Sequence, residues 1–198
     1  MEDPTDLSQE NRKLLIAVIG DASIPPDHEK YELAMGCGKL LVDHGYRVVT
    51  GGLGGVMEAA SKGARSSPSY TGGDTVAILP GLDPGHANEF SDVVIPTGMD
   101  VARNLIVANS VAVIAIGGGA GTLSEMAIAW QLKRLIIALR VDGWSGRLAD
   151  TRIDSRVRDK DIDNDQIYGV DTAEEAVRVL AKLLPQYQRR HRGIRRRN

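Results

Sequence analysis

Short apolar runs recur along the chain, and most of them end directly in glycine or in a proline close to glycine. They are rich in valine and isoleucine and apolar at successive positions, which is typical of strands buried on both faces of a parallel sheet. The runs cover residues 14–19, 47–50, 75–79, 92–95, 111–116 and 135–139. Helical patterns at residues 29–44 and 121–134 separate some of them. This alternation predicts an α/β fold, a Rossmann-like doubly wound parallel sheet in three layers.

The length of 198 residues favours a single domain with one substantial core. We expect a Rossmann-like nucleotide- or phosphate-binding domain over residues 14–185, preceded by a flexible N-terminus at 1–13 and followed by a basic tail at 186–198. Six arginines lie between Arg189 and Arg197 while the whole chain has a net charge of −2, so the domain itself is acidic. A phosphate ligand must therefore be held by local backbone dipoles and a few placed cations, because the overall field repels it.

The composition disfavours several classes of protein. The single cysteine, Cys37, forbids an intramolecular disulfide and fits a reducing compartment; it lies in a predicted helix between glycines, which favours close packing over nucleophilic chemistry. The first residues lack the apolar core of a secretory signal, and no apolar run reaches the roughly 18 residues of a membrane span. We therefore expect a cytoplasmic protein without membrane contact. The four histidines lack metal-ligand spacing, so no metal site is predicted.

Three of the predicted strands are followed by segments suited to close backbone approach, at residues 20–23, 50–57 and 117–125. Parallel strands place their C-terminal ends at one edge of the sheet, where ligands bind. Glycine lets peptide N–H groups approach an anion, and the start of a helix adds about half a positive charge. The phosphate is predicted to bind Gly118, Gly119, Gly121 and Thr122. The crevice around it is predicted to be lined by Gly20, Ser23, Gly51, Gly52, Gly55 and Met57.

Two observations limit the interpretation of these segments. Glycine after a strand is also common turn chemistry, which is the favoured interpretation of residues 20–23 taken alone. Neither later segment has the dinucleotide-binding spacing, and no lysine stands where a P-loop needs one. NAD binding and ATP hydrolysis are therefore disfavoured.

Charged and polar side chains are predicted at the same edge. Arg103 and Asn104 begin a helix before the strand at 111–116, where the guanidinium would neutralise phosphate and the amide would read a polar group. Alternatively, Arg103 is a solvated residue at a helix start. Glu125 either completes a capping box with Thr122, reaching back to a helix N-terminal amide, or contacts ribose hydroxyls or acts as an acid or base.

The later part of the chain is interpreted as structural. Residues 147–165 contain 11 charged residues out of 19 and no apolar period, which predicts a solvated excursion. Residues 171–184 regain helical spacing, with Asp171 or Thr172 as the N-cap. Trp130 is predicted to lie in the core or in a subunit interface rather than to stack on a ligand.

The glycine segments resemble the LOG (lonely guy, formerly lysine-decarboxylase-like) superfamily and, within it, the molybdenum-cofactor-carrier-like branch. The signature Pro-Gly-Gly-x-Gly-Thr-x-x-Glu matches residues 117–125 at every fixed position except the first, where this chain has Gly117. The earlier element Gly-Gly…Gly-[Leu/Val]-Met matches residues 51–52 and 55–57. The resemblance spans roughly residues 14–140. It implies a Rossmann-like fold, usually a homodimer or higher homo-oligomer, and a phosphate-bearing ligand over the glycine loop.

Hydrolytic members of that superfamily cleave the N-glycosidic bond of cytokinin nucleoside 5′-monophosphates, using the glutamate of the signature and an arginine of a Met-His-x-Arg-Lys stretch. The resemblance assigns the glutamate to Glu125 and makes Arg103 the plausible equivalent of the arginine. The stretch differs here, since residues 99–104 contain an extra residue, aspartate for the histidine and asparagine for the lysine. The carrier-like branch binds molybdenum cofactor, a pterin with a terminal phosphate, without turning it over.

Three functions are compatible with the sequence. The leading hypothesis is a LOG-family-like carrier or binding protein for a small phosphate-bearing ligand, either a nucleotide or molybdenum cofactor. The alternative is a nucleoside 5′-monophosphate phosphoribohydrolase with Glu125 and Arg103 as catalytic residues. A nucleic-acid-processing role of the Smf (DprA-like) type, whose members resemble this fold, would use the arginine tail. An acidic domain and an aromatic content of 4% disfavour that role.

Overall fold

Seven parallel strands form the centre of the protein, which a computed structural model describes over residues 12–187. The strands are β1 Leu15–Gly20, β2 Arg47–Thr50, β3 Thr75–Leu79, β4 Val93–Pro96, β5 Ala112–Ile116, β6 Leu135–Leu139 and β7 Tyr168–Val170. They lie in the order β4-β3-β2-β1-β5-β6-β7. Residues 1–11 and 188–198, which hold most of the predicted flexible N-terminus and basic tail, lie outside the described residues.

Helices cover both faces of this sheet. They are α1 Glu29–Asp43, α2 Val56–Arg65, α3 Asn104–Ala108, α4 Ala120–Gln131, α5 Trp144–Leu148 and α6 Ala173–Leu183. α1, α2 and α6 share one apolar core with alternate strand residues such as Ile16 and Val18. α3 and α4 pack on the opposite face against the intervening residues, such as Ala17 and Ile19. The strands are therefore buried on both faces, and the predicted three-layer α/β fold is confirmed.

The strand order brings the predicted site segments together. β1 pairs with β2 on one side and with β5 on the other, so that Ala17 lies between Val49 and Val113. The order of the chain through the sheet reverses at β1, and a crevice opens outside the strand ends at such a switch point. The segments that follow β1, β2 and β5 consequently meet at one edge.

Two glycines let α1 and α2 cross closely. A Cβ at Gly38 would lie 1.9 Å from the carbonyl oxygen of Ala60, and one at Gly63 would lie 1.9 Å from that of Met35. Cys37, beside Gly38, is fully buried, and burial raises the pKa of its thiol to about 12. The predicted close packing around Cys37 is confirmed, and the buried, protonated thiol agrees with the expectation that it takes no part in nucleophilic chemistry.

The prediction of a solvated excursion over residues 147–165 is wrong for part of that segment. Arg158 and Asp165 form a buried ion pair, with 7% and 4% of each residue exposed. The Arg158 guanidinium lies 3.6 Å from the ring centroid of Trp130, and Tyr187 Oη donates to Asp165 at 2.6 Å. These charges are buried because they compensate each other and because the guanidinium stacks on an aromatic ring, neither of which the apolar period of a sequence reports.

Other differences from the sequence prediction are local. β7 lies outside the predicted strands because its three residues are too few to form a recognisable apolar run. Thr172, rather than Asp171, is the N-cap of α6, and its Oγ1 accepts from the N–H of Glu175 at 3.2 Å. Trp130 is 1% exposed and belongs to the core, as predicted. Among residues 12–187, no helix is both long and apolar enough to cross a bilayer.

Candidate functional site

The segments after β1, β2 and β5 surround a cavity of about 220 Å³ at the C-terminal edge of the sheet. Most of the predicted site residues line it, namely Gly20, Gly51, Met57, Arg103, Asn104, Gly119, Gly121, Thr122 and Glu125. Ile19, Asp21, Ala22 and Leu53 complete the lining. Residues that are distant in the chain thus converge, as the shared edge of a parallel sheet requires.

The start of α4 presents backbone donors to this cavity. Gly119 occupies the N-cap position, and no side-chain hydrogen bond caps the helix there. A Cβ at Gly119 or Gly121 would meet nothing within 4 Å, so no neighbouring group crowds these positions. Within residues 12–187, no protein group accepts the N–H groups of Gly119, Ala120, Gly121 or Thr122. Unpaired amides and the positive end of the helix dipole together favour an anion here.

Arg103 and Glu125 form a buried ion pair in the wall of the cavity. Nη1 of Arg103 donates to Oε1 of Glu125 at 3.0 Å, and 11% and 8% of the two side chains are exposed. Burial raises the pKa of Glu125 to about 7, against the opposing effect of the guanidinium. This carboxyl group therefore exchanges its proton near neutral pH, as a general acid or base must.

The capping box considered for Thr122 and Glu125 is not formed. α4 begins at Ala120, two residues before Thr122, so Glu125 lies in the second turn and beyond reach of the first amides. Its carboxylate accepts from Arg103 instead. The helix start consequently keeps its free donors, and the carboxylate becomes part of the cavity.

Gly51 makes room for the Arg103 guanidinium. A Cβ at position 51 would lie 2.4 Å from Nη2 and 2.6 Å from Nη1 of Arg103, and 2.7 Å from Sδ of Met57. The glycine segment after β2 thus allows Arg103 to lie against Glu125. Here the glycine accommodates a cation of the protein.

Asn104 supports the start of α4 from the neighbouring helix. Its Nδ2 donates to Oγ of Ser124 at 2.7 Å, and Ser124 Oγ donates to the carbonyl oxygen of Gly121 at 2.7 Å. Asn104 is 7% exposed. Its amide therefore has a protein partner in addition to its place in the cavity lining.

The remaining predicted residues lie outside the lining. Gly52 and Gly55 have φ of +78° and +62°, and a Cβ at Gly55 would lie 2.3 Å from the carbonyl oxygen of Asp21. Gly118 has φ of +90° and donates its N–H to Oδ2 of Asp21 at 2.9 Å. A Cβ at Gly52 would meet the side chain of Leu79 and one at Gly118 the side chain of Thr122, so these three glycines let neighbouring protein atoms pack closely. Ser23 is exposed in the loop after β1.

The structure adds two charged residues that the sequence analysis did not single out. Asp21 accepts from Gly118 and also from Nζ of Lys30, at 2.8 Å. Lys30 lies in α1, so the spacing rule for a lysine that follows a P-loop cannot identify it. The available signal was Asp21 itself, an acidic residue directly after the glycine that ends β1.

A second cavity, of about 370 Å³, follows β6 and contains none of the predicted residues. Its Arg140 is already paired with Asp150 and Asp171, at 2.8 Å each, and donates to the carbonyl oxygen of Gly169. In the described part of the chain, no group of three histidine, cysteine, aspartate or glutamate residues is placed to hold a metal ion. The cavity at the start of α4 is therefore the candidate site.

The raised pKa of Glu125 predicts a pH-dependent stabilisation by the variant Glu125→Gln. A carboxyl whose pKa is about 7 in the folded protein and 4.5 otherwise destabilises the fold as the pH rises through that interval. Glutamine resembles the protonated acid and avoids this effect. As the pH is raised from 5 to 8, the free energy of unfolding of the variant minus that of wild type should increase by on the order of 2 kcal/mol, as measured by urea unfolding. A difference that does not change with pH would contradict a titrating buried carboxyl.

Comparison with known proteins places these features in context. The model of the SLOG cluster4 family matches residues 13–177. An Archaeoglobus fulgidus protein described only as uncharacterized is 44% identical over 126 residues, 63% of this chain and 79% of its own length. The molybdenum cofactor binding protein of Rippkaea orientalis is 30% identical, with a TM-score of 0.69 over 88% of this chain and 99% of its own. The molybdenum cofactor carrier protein of Chlamydomonas reinhardtii is 26% identical, with the same TM-score and coverage.

A more distant likeness connects the chain to a DNA-binding protein. DNA processing protein A of Helicobacter pylori is 19% identical, with a TM-score of 0.59 over 89% of this chain and 84% of its own. At that identity the likeness shows the fold alone. It carries no argument for nucleic-acid binding by this chain.

Proposed function

Because this chain belongs to the SLOG cluster4 family, we propose that it is a carrier or binding protein for a small phosphate-bearing ligand, a nucleotide or molybdenum cofactor. The observation that carries the proposal is the row of amides at residues 119–122, which have no protein acceptor among the described residues; Gly119, Gly121 and Thr122 of this row line the cavity. The phosphate would accept from them at the positive end of α4. Similarity to proteins that bind or carry molybdenum cofactor supports this ligand class.

The cavity limits how much of the ligand it encloses. Small-molecule sites commonly measure about 300–1,000 Å³, whereas this one measures about 220 Å³. It would hold the phosphate and an adjoining ring, while the rest of the ligand extends out of the cavity. Cys37, the single cysteine, is buried in the core, so the cavity offers no thiolate to a metal. Molybdenum cofactor would accordingly be held as cargo through its phosphate and pterin.

We also propose that the protein works in the cytoplasm as a homodimer or higher homo-oligomer. Val101 (76%) and Leu105 (51%), on either side of Arg103 in the chain, are exposed, and so is Leu82 (80%), whose side chain lies close to Gly98. Association that covers such side chains is favourable. Sedimentation velocity should detect a dimer or larger species at micromolar concentration, and a monomer throughout that range would contradict this part of the proposal.

Native mass spectrometry of the freshly purified protein tests the ligand directly. We expect a co-purifying mass that dissociates on unfolding and whose fragmentation yields a phosphate group. Calorimetry with AMP and inorganic phosphate complements this experiment for protein purified without ligand. A bound species lacking phosphate, or the absence of both a bound species and anion binding, would contradict the proposal.

A second candidate function is a nucleoside 5′-monophosphate phosphoribohydrolase. The ion pair of Arg103 and Glu125 inside the cavity favours it, because the pKa of Glu125 lies near 7. Glu125 would accept a proton from the attacking water as the N-glycosidic bond breaks and would pass that proton to the departing base, giving the free base and ribose 5-phosphate. Arg103 would keep the carboxyl group oriented.

Chromatography of reactions with AMP and other nucleoside 5′-monophosphates distinguishes the two functions. Hydrolysis predicts release of the free base by wild type and a loss of roughly a hundredfold in Glu125→Gln. Binding of these nucleotides without release of any base would contradict the hydrolase function and support the binding function.

A further inference from the structure

The carboxylate of Asp21 lies where an external anion would be expected. Its Oδ2 accepts from the N–H of Gly118 at 2.9 Å and from Nζ of Lys30 at 2.8 Å. An amide of a glycine-rich loop and a lysine ammonium form a donor set that binds phosphate in nucleotide-binding proteins. We call these two donors the inner anion site. In this protein a carboxylate of the chain itself fills that site.

The backbone leaves room for this arrangement. Gly117 has φ of +64°, and a Cβ there would lie 2.2 Å from Oδ2 of Asp21 and 2.8 Å from Nζ of Lys30. The Lys30 side chain is only 11% exposed, whereas the Asp21 side chain is 28% exposed and lines the cavity. The ammonium is therefore buried behind a carboxylate that borders the ligand site.

The inner anion site adjoins the row of free amides, since Gly118 directly precedes Gly119. We propose that Asp21 is a specificity-determining residue that limits the ligand to a single phosphate at this edge. This inference rests on the proposed function. A second phosphate joined to the first would need the donors that Asp21 already uses and would lie against a carboxylate of like charge. A single phosphate can bind the free amides of α4 without displacing Asp21 and without lying against its carboxylate.

A purely structural role for Asp21 makes the opposite prediction. The hydrogen bond from Gly118 joins loops whose residues are 97 positions apart in the chain, so Asp21 also connects the β1 and β5 segments. If that were its whole role, removing it would weaken the binding of every anion. The specificity role predicts improved binding of a diphosphate relative to a monophosphate.

Calorimetric titration with inorganic phosphate and pyrophosphate tests the proposal in wild type, Asp21→Ala and Asp27→Ala. Asp27 is an exposed acid in the following turn, so its removal changes the net charge equally. In Asp21→Ala, the dissociation constant for pyrophosphate should fall about tenfold or more relative to that for phosphate, because the Lys30 ammonium and the Gly118 amide become available. Wild type and Asp27→Ala should share one ratio. Adding Lys30→Met to Asp21→Ala should remove most of the gain.

The outcomes separate this inference from the proposed function. Phosphate binding by wild type with an unchanged ratio in Asp21→Ala, or with equal loss of both anions, would overturn the role of Asp21 alone. If Asp21→Ala does not fold, Asp21→Asn keeps the size and an acceptor while removing the charge; a smaller fall in the same ratio supports the inference, and an unchanged ratio overturns it. Failure of both anions to bind wild type and Asp27→Ala would contradict the proposed function and, with it, this inference.

Discussion

Replacing Asp165 with alanine is expected to lower the free energy of unfolding by about 3–5 kcal/mol. The variant leaves the Arg158 guanidinium buried without the carboxylate that accepts from its Nε at 2.8 Å and from its Nη2. It also removes the acceptor of Tyr187 Oη. The remaining partners of Arg158 are the carbonyl oxygens of Trp130 and Arg134 and the rings of Trp130 and Tyr187, which do not neutralise its charge. Urea unfolding at pH 7 measures the effect.

The neighbouring acid Asp163 supplies the control for this variant. It is exposed, so Asp163→Ala should change the stability by no more than about 0.5 kcal/mol. Exchanging both partners, as Arg158→Met with Asp165→Leu, should recover much of the loss because no charge then stays buried alone. A decrease of less than about 1 kcal/mol in the free energy of unfolding of Asp165→Ala would contradict the interpretation that this ion pair stabilises the packing of the charged segment on α4.

The second large effect concerns the ligand: Gly119→Asp should weaken the binding of AMP or inorganic phosphate by about a hundredfold. The new carboxylate would lie at the N-cap of α4, where it can accept from the amides that the phosphate needs and repels the phosphate by its charge. The fold should tolerate the change, since a Cβ at Gly119 meets nothing within 4 Å and its φ is −99°. Isothermal titration calorimetry measures the loss.

Gly72→Asp is the matched control for this variant. Gly72 is exposed, its Cβ position is open, and the substitution adds the same charge far from the free amides in the chain. It should leave the affinity within about twofold of wild type. Equal affinities of the two variants would show that the phosphate does not bind at the start of α4.

The sheet could be predicted from the sequence because its strands are buried on both faces. Ile16 and Ala17 are both fully buried although they belong to different cores, so the run around them reads as continuously apolar. The glycine that follows such a run then locates the strand end. β7 could not be predicted in this way because it lies at the border of the sheet, where Tyr168 and Gly169 are only partly buried.

The sequence predicted most of the residues that line the candidate site, but it did not predict the role of each residue. Parallel strands bring the segments after β1, β2 and β5 to one edge whatever their side chains are, which is why nine predicted residues share the cavity. Whether a glycine binds a ligand or accommodates the protein depends on contacts between distant residues. Gly51 accommodates Arg103, and Gly118 donates to Asp21. No local pattern encodes such pairs.

Charge density does not predict burial in residues 147–165 for the same reason. Residues 147–165 look solvated when each charge is counted alone, yet Arg158 and Asp165 are as buried as many apolar residues. An ion pair whose members lie seven positions apart, stacked on a tryptophan from another element, has no signature in composition. The prediction fails where two charges of the segment compensate each other in the interior of the protein.

The most direct test of the account is a titration of ¹⁵N-labelled protein with inorganic phosphate, followed by amide resonances in NMR. Free donors at the start of α4 predict saturable shifts at Gly119, Ala120, Gly121 and Thr122, with one common dissociation constant and little change at Gly72 and Gly73. Shifts confined to another part of the molecule, such as the cavity around Arg140 and Arg147, would contradict the assignment of the phosphate to α4.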